Sequence, residues 1–362
     1  MLYIGIMSGT SLDGIDVALV DFADSKPRLL ASLILPYPAE LRHDLARLAQ
    51  PGANEIELMG VVEAKLAYCY AEAVQTLLNQ AKLQASAITA IGCHGQTIRH
   101  RPNGAHAFTL QIGDMHRLSV LTGIRVIADF RRKDVALGGQ GAPLVPAFHQ
   151  AIFASEQGRC ILNIGGIANV TLLLPHQDIQ GFDTGPGNCL LDSWVERHQG
   201  TTYDAAGRFA ASGRLQPSLL ASLFSDPYFS QTGPKSTGRE YFQLAWLDSH
   251  LADFALEPAD VQRTLSRFSA GTMALAISRF HVNEVFVCGG GAHNPVLLQD
   301  LAELLPTCRI STTAELGVDA DWVEAMAFAW LAYAYDARIP GNVPAVTGAK
   351  HATVLGVCFD PR

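Results

Sequence analysis

The sequence predicts an α/β protein with two domains, on three observations. The chain has 362 residues, which is more than a single hydrophobic core usually organises. Short apolar runs of strand-like composition alternate with segments of helical periodicity. Two strand–glycine turn–strand units, one at the N-terminus and one near the middle of the chain, follow the same plan. This repetition suggests two halves that face each other across a cleft.

The N-terminal half begins with a predicted β-hairpin within residues 3–22. Its two apolar arms are joined by residues 8–14, where glycine and aspartate supply the turn. Apolar residues at helical spacing predict a helix at Glu55–Ala81. Strands are predicted at residues 88–93 and 125–128.

The second strand–turn–strand unit covers residues 160–174, with Gly165 and Gly166 at its turn. The other elements predicted in this half are helices at 257–280, 295–305 and 321–337 and a strand at 284–288. The strand runs directly into three consecutive glycines, Gly289, Gly290 and Gly291.

The glycine-rich stretch at residues 138–143 indicates a junction between domains. We therefore predict that domain I comprises residues 1–132 and the C-terminal segment 341–362. Domain II is predicted to comprise residues 133–340.

Charge and composition argue against several classes of protein. The formal net charge is −8 and the pI is about 5.8, so the chain has no global attraction for nucleic acid or an anionic membrane surface. The N-terminus lacks the basic region of a signal peptide, and the longest nearly apolar run, 325–335, is roughly half of a membrane span. The cysteines are far apart and odd in number, seven, which favours a reducing cytoplasm. The histidines show no metal-ligand spacing.

Three glycine-rich turns that follow apolar strands are candidates for phosphate binding: residues 9–14, 165–166 and 289–291. Glycine lets the backbone approach an anion, and consecutive amides in such turns form a concave phosphate site. One such turn is more often only a tight hairpin, so only the three turns together indicate phosphate binding.

Two standard nucleotide patterns fit poorly. The P-loop pattern G-x-x-x-x-G-K-[ST] does not occur in the sequence. Residues 289–294 approach the dinucleotide pattern G-x-G-x-x-G, with Glu315 at roughly the expected distance, but Asn294 stands at the third glycine. A dinucleotide-dependent dehydrogenase therefore stays as a minor alternative.

In this order the three turns resemble those of actin, hexokinase and related sugar kinases. There, two hairpins bind the phosphates and a third glycine turn holds the adenosine. The resemblance implies a two-domain actin-like, ribonuclease H-like ATPase fold, with a mixed sheet flanked by helices in each domain. More narrowly, the chain resembles the anhydro-N-acetylmuramic acid kinases. The blocks that carry this resemblance are residues 7–16, 92–97, 162–169, 181–188 and 287–295.

The narrower resemblance implies an ATP-dependent kinase in peptidoglycan recycling and amino-sugar metabolism. Its substrate is 1,6-anhydro-N-acetylmuramic acid, whose internal bridge is opened by water while O6 is phosphorylated to give N-acetylmuramic acid 6-phosphate. ATP and Mg²⁺ are the implied cofactors, and a homodimer is the implied assembly. The residues implied in ATP binding are Gly9, Thr10, Ser11, Leu12, Asp13, Gly14, Ile15, Asp16, Gly165, Gly166, Gly185, Gly289, Gly290, Gly291 and Asn294.

The sequence departs from the wider superfamily at two acidic positions. Met7 and Asn163 stand where the first and second phosphate motifs usually begin with a carboxylate. Mg²⁺ is therefore expected to be held through water by Asp13, Asp16 and Asp183, since this ion keeps several of its waters.

Asp183 is the implied catalytic base, because the family uses this aspartate to take a proton from the attacking water. The alternative is that Asp183 caps a helix beginning near Asn188. Glu324 is a candidate for orienting the water, although a glutamate in the first turn of a helix also complements the helix dipole. His94, Gln96 and Thr97 end a predicted strand, where polar groups often line a cleft, and are expected to bind the sugar. Arg131 is a candidate partner of the lactyl carboxylate, although a charged run such as residues 129–134 is more often a solvated loop.

Two further alternatives stay open at this point. An ordinary sugar kinase would phosphorylate a free hydroxyl without activating water. A non-catalytic ATP-binding switch in the manner of actin would use the same turns to control assembly.

Overall fold

The structure is a computed structural model that describes residues 1–362 except 10, 11, 13, 25, 232–236, 239 and 240. It divides into two compact units: unit 1 comprises Met1–Ile152 and Trp322–Arg362, and unit 2 comprises Phe153–Asp321. Both boundaries differ from those expected at residues 132 and 340. Residues 133–152 and 322–340, which the sequence suggested for domain II, belong to unit 1.

A mixed sheet lies at the centre of unit 1. Over the described residues its strands are β1 (Leu2–Ser8), β2 (Ile15–Asp21), β3 (Arg28–Leu35), β4 (Ile88–Arg101), β5 (Phe108–Ile112), β6 (Val126–Ala128) and β12 (Val357–Phe359). The order across the sheet is β12-β6-β4-β1-β2-β3, with β5 paired to β4. The predicted N-terminal hairpin is present as β1 and β2, whose register places Met7 opposite Asp16.

Helices cover both faces of this sheet. They are α1 (Ala39–Leu48), α2 (Glu55–Ala81), α3 (Met115–Thr122), α4 (Arg132–Ala136), α5 (Val145–Phe153), α12 (Val323–Ala337) and α13 (Pro344–Thr347). The predicted helix at 55–81 matches α2 at both ends. Buried residues of α2, among them Leu66 and Tyr70, share a core with Ile4 and Ile6 of β1.

The opposite face of β1 and β4 carries α12 at very short range. A Cβ placed on Gly5 would overlap the carbonyl oxygen of Ala325, and one on Gly92 would overlap that of Phe328. Only glycine permits this approach of helix to strand. The close packing fixes where the first turn of α12, with Glu324, lies relative to β4.

Unit 2 is also built on a mixed sheet. Its described strands are β7 (Arg159–Ile164), β8 (Ile167–Leu173), β9 (Gln180–Pro186), β10 (Glu284–Cys288) and β11 (Arg309–Thr312). The order is β11-β10-β7-β8-β9. The predicted second hairpin is present as β7 and β8, which pair antiparallel, while β10 runs parallel to β7 and β11.

The helices of unit 2 pack around one buried helix, α10. The described helices are α6 (Cys189–Gln199), α7 (Arg208–Ser212), α8 (Pro217–Phe224), α9 (Leu244–Leu251), α10 (Pro258–Ile277) and α11 (Pro295–Leu304). Phe268 of α10 lies in an aromatic cluster with Phe224, Phe229 and Trp246, whose ring centroids are 5.0, 5.3 and 6.0 Å away.

Some predicted elements change in length. The strand predicted at 88–93 continues to Arg101, because its second half pairs with β5. The helices predicted at 257–280, 295–305 and 321–337 are present as α10, α11 and α12 with shorter ends. Among the helices of the described residues, none has the length and apolar character needed to cross a bilayer.

Candidate active site

The glycine turn between β7 and β8 is bonded to the start of α6. Gly187 and Cys189 donate their backbone N–H groups to Gly166 O at 2.9 and 3.0 Å, and Asn188 donates to Gly165 O at 2.8 Å. The Asn188 side chain adds a bond to a β7 carbonyl, Ile164 O, at 3.2 Å. The turn predicted to bind phosphate is therefore held against the start of α6 through its own carbonyl oxygens, and its role in binding phosphate stays a prediction.

The third glycine turn packs against the same β7 end. A Cβ on Gly289 would overlap the side chain of Asn163, and one on Gly291 would overlap that of Ile164. Gly289 has φ +77°, a conformation that also favours glycine. The structure thus brings together in unit 2 the two glycine turns that the sequence placed about 120 positions apart.

Asn294 and Gly185, two of the predicted ATP-binding residues, each contact other parts of unit 2. Asn294 is the N-cap of α11, and its Oδ1 accepts hydrogen bonds from Val296 N and Leu297 N at 3.2 Å each. Its side-chain oxygen is therefore used within the fold. Gly185, on β9, packs against Phe229 and Thr272.

Asp183 lies half-buried on β9, five residues before Asn188, the N-cap of α6. Its backbone carbonyl accepts a hydrogen bond from the Tyr228 hydroxyl at 2.9 Å. Its Oδ2 accepts one from the Thr237 backbone N–H at 3.0 Å. Burial raises the pKa of Asp183 to about 6, and the Thr237 hydrogen bond opposes this rise. The N-cap of α6 is Asn188, so the alternative role of Asp183 as its cap is wrong.

A second carboxylate, that of Asp226, fixes the chain segments that contact Asp183. Its Oδ1 accepts from Tyr228 N at 2.8 Å, and the Tyr241 hydroxyl donates to the same oxygen at 2.9 Å. Its Oδ2 accepts from Trp246 Nε1 at 2.8 Å. Asp226 therefore ties together chain segments on both sides of Thr237. Sequence reasoning missed this residue; the Asp226–Pro227 pair, typical of a cap followed by a first-turn proline, was the only local signal.

The first phosphate turn is described only in part. Thr10, Ser11 and Asp13 lie outside the described residues, so their predicted roles stay predictions. Gly9 O accepts hydrogen bonds from Leu12 N at 3.4 Å and from Gln96 Nε2 at 3.0 Å. The turn is thus joined to β4.

The remaining ATP candidates of this region flank the turn. Gly14, the last residue of the turn, is buried, and Ile15 is fully buried in the core of unit 1. Ile15 can therefore offer a ligand only its backbone. Asp16 follows on β2, half-buried and opposite Met7.

Three polar side chains of β4 make hydrogen bonds within unit 1. Gln96 Oε1 accepts from the Tyr37 hydroxyl at 3.1 Å, in addition to the bond from its Nε2 to Gly9 O. Thr97 Oγ1 accepts from Gln111 Nε2 at 3.1 Å, which leaves the hydroxyl hydrogen to donate. His94 is 5% exposed, and its pKa falls to about 3 because of burial and the nearby Arg131.

Arg131 is held beside His94. Its Nε donates to His94 Nε2 at 3.0 Å, and its Nη1 donates to Gly141 O at 2.8 Å. Burial lowers the pKa of Arg131 to about 10, while the charges of Glu324 and Asp134 oppose this. Unit 1 therefore brings together three of the predicted functional residues, His94, Arg131 and Glu324.

Asp134 anchors the loop that follows Arg131. It is fully buried and accepts hydrogen bonds from Gly141 N at 2.7 Å, Asn342 Nδ2 at 2.7 Å and Thr347 Oγ1 at 2.8 Å. This explains why residues 133–152 stay with unit 1.

The predicted metal ligands do not form a preformed cation site within the described residues. Within the described residues, no group of three or more His, Cys, Asp or Glu side chains is placed to hold a metal ion. Asp13 lies outside those residues, and Asp16 and Asp183 belong to different units. An ion that relies on few protein ligands and keeps its waters, as Mg²⁺ does, remains compatible with the carboxylate of Asp16.

The two mixed sheets, with their hairpins and glycine turns, define a fold class, the actin-like, ribonuclease H-like α/β fold. Among solved structures, component A of the (R)-2-hydroxyglutaryl-CoA dehydratase of Acidaminococcus fermentans has this fold. It matches with a TM-score of 0.50 and 14% identity over 93% of this chain and 100% of that chain. At this identity the likeness concerns the fold alone, and it confirms the predicted fold class.

Within that class, the chain belongs to the AnmK family, anhydro-N-acetylmuramic acid kinase, which matches residues 1–361. Relatives with the name anhydro-N-acetylmuramic acid kinase include that of Shewanella oneidensis, 51% identical over 99% of each chain. That of Actinobacillus pleuropneumoniae serotype 7 is 49% identical over 99% of this chain and 98% of the relative. That of Pasteurella multocida is 47% identical over 99% and 97%. The predicted family is confirmed, and the dehydrogenase and the non-catalytic switch are no longer supported.

Proposed function

We propose that this protein is an ATP-dependent kinase that opens the bridge of 1,6-anhydro-N-acetylmuramic acid and phosphorylates O6. The products are N-acetylmuramic acid 6-phosphate and ADP, which places the reaction in peptidoglycan recycling and amino-sugar metabolism. One observation carries the proposal: Asp183, whose pKa burial raises to about 6, lies on strand β9, which ends directly before the residues bonded to the 165–166 turn. A carboxylate tuned in this way suits the activation of water near neutral pH.

Asp183 acts as the general base. Its pKa leaves most of the carboxylate ionised at pH 7, yet makes it more basic than an ordinary aspartate. It takes a proton from water, the water oxygen bonds to C1 of the sugar, and the bond from C1 to O6 breaks. The Thr237 N–H holds the carboxylate in place during this step, and the Tyr228 hydroxyl holds the backbone carbonyl of the same residue.

The leaving oxygen is also the phosphoryl acceptor. Glycoside hydrolysis normally needs a second group to protonate the leaving oxygen. Here O6 forms a bond to the γ-phosphorus as it leaves C1, and the bond from that phosphorus to the bridging oxygen of ADP breaks. The developing negative charge passes to phosphate, so no separate acid is required.

Backbone amides supply most of the ATP site. The turns at residues 9–14, 165–166 and 289–291 bind phosphates and adenosine, and Gly185 belongs to the strand beside them. The bonds from the backbone N–H groups of Gly187, Asn188 and Cys189 hold the second turn in place at the start of α6. This arrangement agrees with the net charge of −8, since fixed amides rather than a basic surface attract the phosphates.

Mg²⁺ would be held through water by Asp13 and Asp16, with Asp183 as a further candidate. When bound, the ion would neutralise the negative charge that develops on the phosphates.

The sugar is bound by residues of β4 and by Arg131. Thr97 retains a hydroxyl hydrogen for a sugar oxygen. Arg131 pairs with the lactyl carboxylate, and Gln96 keeps the first phosphate turn beside β4. Glu324 orients the attacking water and, through its charge, favours the protonated state of Arg131.

We place the protein in the cytoplasm as a homodimer. All seven cysteines, each within the described part of the chain, are free thiols, as a reducing compartment allows.

Along α2, Ile56, Val61 and Tyr68 are exposed, and such an apolar stripe is typical of an interface. Glu57 and Lys65 lie one helical turn before and after Val61, so two copies crossing antiparallel there would pair opposite charges. Val61→Asp should yield a monomer in light scattering; an unchanged mass would exclude this face.

The test of the proposed function is a coupled ADP-release assay with the anhydro sugar, together with detection of the opened sugar. Wild type should release ADP, and Asp183→Asn should lose phosphorylation and bridge cleavage together. In ¹⁸O-labelled water the label should appear at C1, whereas an ordinary sugar kinase would leave C1 unlabelled. With an ATP analogue that cannot transfer its phosphate, release of free N-acetylmuramic acid would contradict the coupled mechanism.

A further inference from the structure

The two ring nitrogens of His94 have different partners. Nε2 lies 3.0 Å from Arg131 Nε, and Nδ1 lies 3.3 Å from the backbone oxygen of Ser8. The ring also packs on Phe328 of α12, with centroids 4.8 Å apart. His94 is thus enclosed by β1, α12 and the segment that carries Arg131.

These partners fix the protonation of the ring. The guanidinium Nε can only donate, so His94 Nε2 must be the unprotonated acceptor. The remaining ring proton then lies on Nδ1, which donates to Ser8 O. A second proton on the ring would face the Arg131 charge, and burial disfavours it further. His94 is therefore a neutral imidazole in one tautomer.

The acceptor is rigidly placed. Ser8 Oγ donates to Gly95 O at 2.9 Å and is 2.9 Å from the Tyr70 hydroxyl, both in the interior of unit 1. Ser8, whose backbone carbonyl accepts the hydrogen bond from His94 Nδ1, is therefore fixed by a buried network of hydrogen bonds. Two bonds on opposite sides of the ring, with Phe328 against its face, leave the ring one orientation.

We propose that His94 is a positioning residue: it fixes the direction of the Arg131 guanidinium and so makes the site select sugars that carry a carboxylate. His94 occupies the Nε edge and Gly141 O occupies one Nη1 hydrogen. A carboxylate must consequently approach through the terminal nitrogens, in one direction. This inference rests on the proposed function, in which Arg131 binds the lactyl group.

The kinetic test uses two substitutions of His94 in two backgrounds. His94→Phe keeps the ring contact with Phe328 but removes the acceptor, and His94→Gln restores an acceptor near the Nε2 position. We expect His94→Phe to raise KM for the anhydro sugar about tenfold, the loss typical of one hydrogen bond to a charged group, with KM for ATP and kcat changed less than about twofold. His94→Gln should recover part of this loss.

The second background is Arg131→Met. If His94 acts through Arg131, His94→Phe should raise KM no further in that background, so the two effects are not additive. A full tenfold effect of His94→Phe on top of Arg131→Met would overturn the proposal. Thermal unfolding of every variant distinguishes a change in KM from a loss of folded protein. His94→Gln should recover part of the KM effect while having the same unfolding temperature as His94→Phe.

A measurement independent of activity is ¹⁵N NMR of the histidine rings of the full chain, with His94→Gln to assign the signal. We expect Nδ1 protonated and Nε2 unprotonated from pH 5 to 8. A proton on Nε2 would overturn the proposal. An unchanged sugar KM in Arg131→Met would also overturn it, while ADP release and bridge opening by that variant would leave the kinase function intact.

Discussion

The backbone N–H of Thr237 donates a hydrogen bond to Asp183 Oδ2 at 3.0 Å, although the two residues are 54 positions apart in the chain. This bond lowers the pKa of Asp183, whereas burial raises it more strongly, and the result is about 6. The proposed base is thus tuned by two opposing effects that both come from the fold of unit 2.

The pH dependence of activity should report the pKa of Asp183. A raised pKa means that the carboxylate keeps its proton up to a higher pH, so the base is lost earlier on acidification. We expect kcat/KM for the anhydro sugar to fall as the pH drops through about 6, by about tenfold for each further pH unit. Enzyme returned from low pH to neutral pH should regain full activity. A flat profile down to pH 5 would contradict the assignment.

Tyr228→Phe should weaken catalysis without unfolding the protein. The tyrosine hydroxyl donates to the backbone carbonyl of Asp183. Its loss removes one of the bonds that fix strand β9 at the position of the catalytic base. We expect kcat/KM to fall about fivefold, which corresponds to about 1 kcal/mol for one neutral hydrogen bond. Tyr203→Phe, at a tyrosine that is 63% exposed, is the matched control and should leave activity unchanged. Equal effects of the two substitutions would remove the role given to Tyr228.

Asp226→Asn should lower stability. The carboxylate accepts hydrogen bonds from the backbone of Tyr228 and from the side chains of Tyr241 and Trp246. An amide nitrogen in place of one oxygen would face a donor and leave it unsatisfied, at a cost of about 1–3 kcal/mol. Urea unfolding measures this. Asp253→Asn, at an exposed aspartate, should change stability by less than about 0.5 kcal/mol.

Gly92→Ala should be among the most destabilising single-methyl additions in unit 1. The new Cβ would overlap the Phe328 carbonyl oxygen, so β4 and α12 would have to separate. We expect a loss of about 3 kcal/mol, at the upper end for overpacking. Gly52→Ala has no neighbour closer than ordinary contact distance and serves as the control. Equal stability of the two variants would show that α12 can move away from the sheet at little cost.

Much of the fold was predictable because its signals are local. The hairpins β1–β2 and β7–β8 follow from apolar arms around glycine turns, and the bounds of α2 follow from helical spacing. The unit boundaries were misplaced for a non-local reason. Asp134 holds the following loop through Asn342 and Thr347, more than 200 positions away, and no local pattern reveals such a bond.

The sequence by itself determined the two hairpins, the long helices α2, α10 and α12, the positions of the three glycine turns and the family, because turn chemistry, periodicity and motif order are written in neighbouring residues. Only the tertiary structure decided the pKa of Asp183, the tautomer of His94 and the roles of Tyr228 and Asp226. Burial and hydrogen-bond partners set these properties, and both arise where distant segments pack together.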